Sequence, residues 1–236
     1  MTHCLIASTS TIHGSSYLEY LKEPLEVLFK GVDEVLFIPY AKPGGIDYDA
    51  YCGLVQEAFK TLGKRIVGIH TFTDPIAAVN NAKGIFTGGG NTFALVTQLY
   101  RHHLLASLKK AILNGIPYLG TSAGSNIMGP SMKTSNDMPI VYPPSFKTLG
   151  ILPFNINPHY IDPDPTSTHK GETRETRIKE FHEYNRQPVV GLREGSWIWV
   201  EGDTLLLQGG NLSARIFEPG KQPYEVEPGT NLNTLK

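Results

Sequence analysis

The chain has 236 residues, 40% hydrophobic and 18% charged, which is enough apolar material for a sizeable core and excludes a disordered chain. Lys+Arg (21) and Asp+Glu (22) leave a formal net charge of -1, so there is no basic excess to drive binding to nucleic acid. Cys4 and Cys52 are too few for a disulfide framework, and no C-x-x-C pair suggests zinc, so a reducing, cytoplasmic setting is expected. No apolar run approaches the roughly 18 to 20 residues of a membrane span. The opening MTHCLIASTST lacks a basic region and is expected to be neither a signal nor a transit peptide.

Taken in chain order, residues 4–7, 34–39, 65–69, 84–87 and 116–119 read as buried strands. Each is short, carries Ile, Val, Phe or Leu, and ends at Gly, Pro, Ser or Thr. Helical patterns occupy 17–29, 49–62, 75–82 and 92–113, the last long enough for two helices broken near residues 101–103. Tyr48, Tyr51, Val55, Ala58, Phe59 and Leu62 recur every three or four positions, which is one helix face. Such alternation predicts βαβ units and a doubly wound, mostly parallel α/β sheet flanked by helices. Residues 138–152 are rich in Pro and Gly and read as loop. A helix over 173–184 follows, then close-set strands at 189–192, 196–200, 204–207 and 214–217, expected as an antiparallel edge on the parallel sheet. With no repeat, charge block or linker, residues 1–236 are expected to form one domain.

The sharpest local pattern is Gly120-Thr121-Ser122-Ala123-Gly124. It is G-x-S-x-G, set directly after a strand and before a helical run, the context of a nucleophile elbow that exposes a serine at a strand's carboxyl end. The alternative is an ordinary strand-to-helix turn. A second Gly-rich turn, Gly88-Gly89-Gly90-Asn91, follows the strand at 84–87. It matches neither a Walker A loop nor G-x-G-x-x-G. Its open amides suit either a phosphate nest or an oxyanion hole in which Gly89 or Gly90 joins Ala123. The bland reading is a tight turn capped by Asn91.

A serine nucleophile needs a base, and the base needs an orienting acid. His159, in Asn155-Ile156-Asn157-Pro158-His159, stands at the end of an extended run; His169 is the next candidate, while His102 and His103 read as surface. Asp137, in a loop near the elbow, and Glu194, just past the strand at 189–192, are both candidate acids. The order Ser122, Asp137, His159 is that of α/β-hydrolases, but the short intervals do not fit that fold. No metal-ligand pattern is present; neither a metal nor a cofactor is expected.

Together with Thr134-Ser135-Asn136-Asp137-Met138-Pro139-Ile140 and Gly171-Glu172-Thr173-Arg174, these motifs resemble the peptidase E family of alpha-aspartyl dipeptidases, in matching order over nearly the whole chain. The resemblance implies a cytoplasmic, metal-independent serine peptidase, related to cyanophycinase and similar in fold to class I glutamine amidotransferases. It implies cleavage of dipeptides with a free N-terminal aspartate. Ser122 would be the nucleophile, His159 the base, and Asp137 the acid, with Glu194 as the alternative. Thr121 departs from relatives that carry a bulky aromatic there. The expected partner is a small peptide, not nucleic acid or membrane, and the expected assembly is a monomer or homodimer. A buried substrate carboxylate requires a cation, and Arg174, at the start of the helix over 173–184, is the first candidate, ahead of Arg177, His169 and Lys170. Two competing functions are cleavage of a cyanophycin-like polymer and small-molecule binding at residues 88–91 without catalysis.

Overall fold

The computed structural model describes residues 1–166, 168 and 170–235. Five strands, β1 (His3–Ala7), β2 (Glu34–Ile38), β3 (Arg65–Gly68), β4 (Ile85–Thr87) and β5 (Tyr118–Thr121), alternate with α1 (Lys22–Leu28), α2 (Tyr48–Lys60), α3 (Pro75–Asn81), α4 (Thr92–Arg101) and α5 (Leu104–Leu113). The helices begin where short polar side chains accept free backbone N–H groups: Asp47 from Ala50, Asp74 from Ala77 and Asn91 from Ala94. The break expected near residues 101–103 falls at His102 and His103, where His103 turns to φ 54°. His102 stacks on Tyr40, with ring centroids 5.3 Å apart.

The second half holds the short α6 (Ala123–Asn126), β6 (Asn155–Pro158), α7 (Arg174–Tyr184), β7 (Val189–Leu192), β8 (Ser196–Glu201), β9 (Thr204–Gly209), β10 (Ala214–Phe217) and β11 (Tyr224–Val226). The strands form a seven-stranded sheet of order β3-β2-β4-β5-β1-β8-β9 and a four-stranded sheet of order β11-β10-β7-β6. The first five strands are mutually parallel, and β8 and β9 extend the sheet antiparallel, as expected. The strands at 189–192 and 214–217 do not join that edge. Instead β7 pairs parallel with β6 and antiparallel with β10 in the smaller sheet. Their apolar patterning fits either sheet, so composition could not assign them. No helix among the described residues is long and apolar enough to cross a membrane.

Strand alternation divides the core. Cys4, Ile6, Leu36 and Ile38 face one layer, packed against α3 to α5 and the inner face of the small sheet. Leu5, Ala7, Val35 and Phe37 face the other, packed against α1 and α2. Both faces of the parallel sheet are therefore covered, which is why its strands read as continuous apolar runs. At the outer edge, residues 229–233 run along β9: Gly229 N–H donates to the Leu207 carbonyl, Leu207 N–H to the Thr230 carbonyl, and Leu205 N–H to Asn233 Oδ1.

Arg193 ties the small sheet together at the end of β7. Its guanidinium donates to Asp162 at 2.7 and 2.9 Å, to Glu225 at 2.9 and 3.0 Å and to the Ser213 carbonyl at 2.6 Å, with only 16% of its side chain exposed. The bonds from Arg193, with help from Ser213 and Arg215, hold the Glu225 carboxyl at about 2, against an ordinary 4.5. A carboxyl depressed on folding stabilises the fold above its unfolded value and loses that contribution as pH falls toward the folded one. The Tm difference between the wild type and Glu225→Gln is therefore expected to be full at neutral pH and to shrink between about pH 4.5 and 2. A difference that is constant with pH, measured by calorimetry, would contradict this.

Candidate active site

Ser122 sits between β5 and α6 with φ 53° and ψ -107°, a conformation rare for a residue with a side chain. The flanking glycines permit it. A Cβ on Gly120 would lie 2.6 Å from the Gly124 carbonyl oxygen, and a Cβ on Gly124 would overlap the carbonyl oxygen of Thr87 on β4. The turn is pinned from below: Ser122 N–H donates to the Ala7 carbonyl at 3.2 Å, and Ser125 Oγ, with one proton to share, lies 2.6 and 2.8 Å from the Ala7 and Gly120 carbonyl oxygens. Thr121 is fully buried.

His159 follows β6 directly, at φ 52°. Its Nε2 lies 2.8 Å from Ser122 Oγ, and its Nδ1 lies 2.6 Å from Glu194 Oε1. A carboxylate only accepts, so Nδ1 carries the proton and the Nε2 lone pair faces the serine hydroxyl. The parallel pairing that opposes Pro158 to Leu192 brings His159 and Glu194 out of neighbouring strands side by side. The site is open: His159 and Glu194 side chains are 34% and 51% exposed.

Asp137 makes no hydrogen bond to His159. Its Oδ2 accepts from Thr92 N–H at 2.7 Å, Thr92 Oγ1 at 2.5 Å and Ser135 Oγ at 2.9 Å, which binds it to the N-terminus of α4. There it accepts one backbone N–H and meets the positive end of the helix. The loop that carries it is stitched to β6, because Asn136 Nδ2 donates to the Pro158 carbonyl at 2.6 Å and Asn157 Nδ2 donates to Asn136 Oδ1 and the Thr134 carbonyl.

The Gly-rich turn lies against the elbow: a Cβ on Gly89 would fall 3.0 Å from Ser122 Cβ, and one on Gly90, at φ 141°, would overlap the Ala41 carbonyl. Tyr51 Oη donates to the Gly89 carbonyl at 3.1 Å. The amides of Gly89, Gly90 and Ala123 donate to no acceptor among the described residues, whereas the neighbouring amides of Gly88 and Asn91 are paired. Arg174 is the first residue of α7 and half-buried. Burial, and then Arg177 beside it, pull its guanidinium below the ordinary value, and the Asp137 charge opposes them. Arg177 pairs with Glu172 at 3.7 Å on the exposed face. His169 lies outside the described residues, and Lys170 is exposed.

The site therefore unites Ser122, His159 and Glu194, with Gly89 beside the serine. Ser135, Asn136 and Asn157 fall within motifs of the sequence, but the bonds by which they and Thr92 hold the surrounding loops are not readable there, because most of them span long separations. Comparison with known proteins bears on the family and the fold. A peptidase E from Streptomyces coelicolor is 49% identical over 231 residues, covering 98% of this chain and 93% of its own. A Drosophila melanogaster protein named "Probable alpha-aspartyl dipeptidase" is 44% identical, covering 98% of this chain and 96% of its own. The crystal structure of a peptidase from an acI-B1 Actinobacterium superposes with a TM-score of 0.71 at 16% identity, covering 98% and 96% of the two chains, which speaks for the fold. The sequence pattern of peptidase family S51 matches residues 4–208, and the chain belongs to that family.

Proposed function

We propose that this chain is a dipeptidase that hydrolyses Asp-Xaa peptides by acyl transfer through Ser122, His159 and Glu194. The observation that carries the reading is the unbroken hydrogen-bonded line from Ser122 Oγ through both ring nitrogens of His159 to Glu194. Ser122 Oγ attacks the scissile carbonyl while its proton passes to His159 Nε2. Glu194 steadies the imidazolium that forms. The C–N bond then breaks, and the same proton goes to the leaving amine. Water, deprotonated by His159, cleaves the aspartyl ester and frees Ser122. Ala123 and either Gly89 or Gly90 present amides to the developing oxyanion, an arrangement in which each donor is worth about 3 kcal/mol.

The substrate class rests on relatives named peptidase E and alpha-aspartyl dipeptidase, at 49% and 44% identity. Within this reading, Arg174 takes the side-chain carboxylate of the substrate aspartate. A half-buried guanidinium at the start of α7, held among charged neighbours without a hydrogen-bonded carboxylate of its own among the described residues, supports that assignment. In this reading Asp137 holds its loop to the start of α4 and does not orient the base.

A panel of Asp-Leu, Ala-Leu and cyanophycin polymer, together with fluorophosphonate labelling, tests the function. Stoichiometric labelling of Ser122 and turnover of Asp-Leu alone are expected. Turnover of the polymer in preference, or no labelling, would favour the polymer-cleaving or the binding alternative.

Two substitutions probe the roles. Glu194→Gln should lower kcat by roughly 10²- to 10⁴-fold. Asp137→Asn should leave Ser122 reactive toward the fluorophosphonate, and the opposite ranking would make Asp137 the orienting acid. Arg174→Met should cost about 2–4 kcal/mol in kcat/KM for Asp-Leu and less for Asn-Leu. Equal losses on both substrates would place the aspartate pocket elsewhere.

A further inference from the structure

The end of β1 holds two parts of the site at once. Ala7 offers its carbonyl to Ser122 N–H and Ser125 Oγ, and so fixes the nucleophile's turn. The next residue, Ser8, is fully buried and turns its hydroxyl the other way, toward the small sheet. Ser8 Oγ donates to the Leu192 carbonyl at 2.7 Å and accepts the His159 backbone N–H at 2.8 Å. Leu192 is the last residue of β7, two before Glu194, and His159 is the first residue past β6. One hydroxyl thus joins the strand beneath the nucleophile to the two strands that carry its partners.

His159 needs such a hold. At φ 52° it occupies the left-handed region, where a residue with a side chain persists only when its surroundings determine it. Its neighbours are tied by Asn136 to the Pro158 carbonyl and by Tyr160 N–H to the Leu192 carbonyl, but its own amide has Ser8 alone. The direction of the Cα–Cβ bond, and hence of the imidazole, follows from the orientation of that peptide plane. We propose that Ser8 is a positioning residue for the reaction. Its hydroxyl sets the His159 backbone so that Nε2 meets Ser122 and Nδ1 meets Glu194. This rests on the triad reading above, and it assigns a role to a side chain that touches no substrate.

The discriminating measurement is the division between kcat and KM. In Ser8→Ala, an orphaned amide lets the imidazole drift by a fraction of an ångström to about an ångström, and kcat for Asp-Leu should fall roughly 10- to 100-fold. KM should stay within about twofold, because Arg174 and the aspartate pocket are untouched. The rate of Ser122 labelling by a fluorophosphonate should fall by the same factor as kcat, and Ser8→Thr, which keeps the hydroxyl, should recover most of both. A folded Ser8→Ala protein with wild-type kcat, or one changed only in KM, overturns the proposal. Should Ser8→Ala fail to fold, hydrogen exchange in the wild type decides: the His159 amide should be strongly protected, and exchange at the rate of an open loop overturns the assignment. Ser122→Ala separates the two readings. If it retains activity, the triad itself fails; if it is inactive while Ser8→Ala is unimpaired, only the positioning role falls.

Discussion

The constraint on which the site depends is steric. Ser122 stands at positive φ because Gly120 and Gly124 allow the backbone of β5, α6 and β4 to close to distances no side chain would permit. That closeness holds the serine above the strand ends and lets the Gly88–Gly90 backbone lie against it. The tyrosine hydroxyl of α2 then fixes the Gly89 carbonyl, so the peptide planes beside the nucleophile are set by the core beneath them. Rigid support of this sort is what electrostatic stabilisation of a transition state requires, since donors that must reorganise lose most of their value.

The groups proposed to react are divided between the two sheets. Ser122 follows β5 of the seven-stranded sheet, whereas His159 and Glu194 extend from adjacent parallel strands of the smaller one. Pairing between β6 and β7 fixes His159 relative to Glu194, and side chains crossing between layers fix both relative to Ser122. Asn126, for example, reaches from α6 to the Ile156 carbonyl at 2.8 Å, and Thr134 reaches the same carbonyl. Buried donors satisfied in this way favour one arrangement of the layers where apolar packing alone would tolerate several.

Much of this was legible in the chain. The β1–β5 alternation followed from short apolar runs between helical patterns, and the elbow followed from small residues around one serine. The break at His102 and His103 was also readable, because the pattern from Thr92 is too long for one helix. The fate of residues 189–192 and 214–217 was not. A strand's composition reports that it is buried, not which strand it lies beside, and β6 was visible only as a run before His159. The place of Glu194 beside His159 depends on that pairing, and that of Asp137 on hydrogen bonds to Thr92, 45 positions away. Ser8 was hidden for a similar reason: its partners lie 151 and 184 positions away.

The segment running along β9 has a consequence for the whole molecule. A sheet ends in a row of unpaired amides and carbonyls, and an exposed apolar edge is a template on which another chain can add a strand. Here Gly229, Thr230 and Asn233 occupy part of that row, and the buried Leu232 and Leu235 fasten the segment down. At the opposite edge, β3 begins with the exposed Arg65, paired to Glu34, so charge guards that side. Residues 229–235 thus act as a selvedge, covering part of a row of amides and carbonyls that would otherwise stand open beside β9.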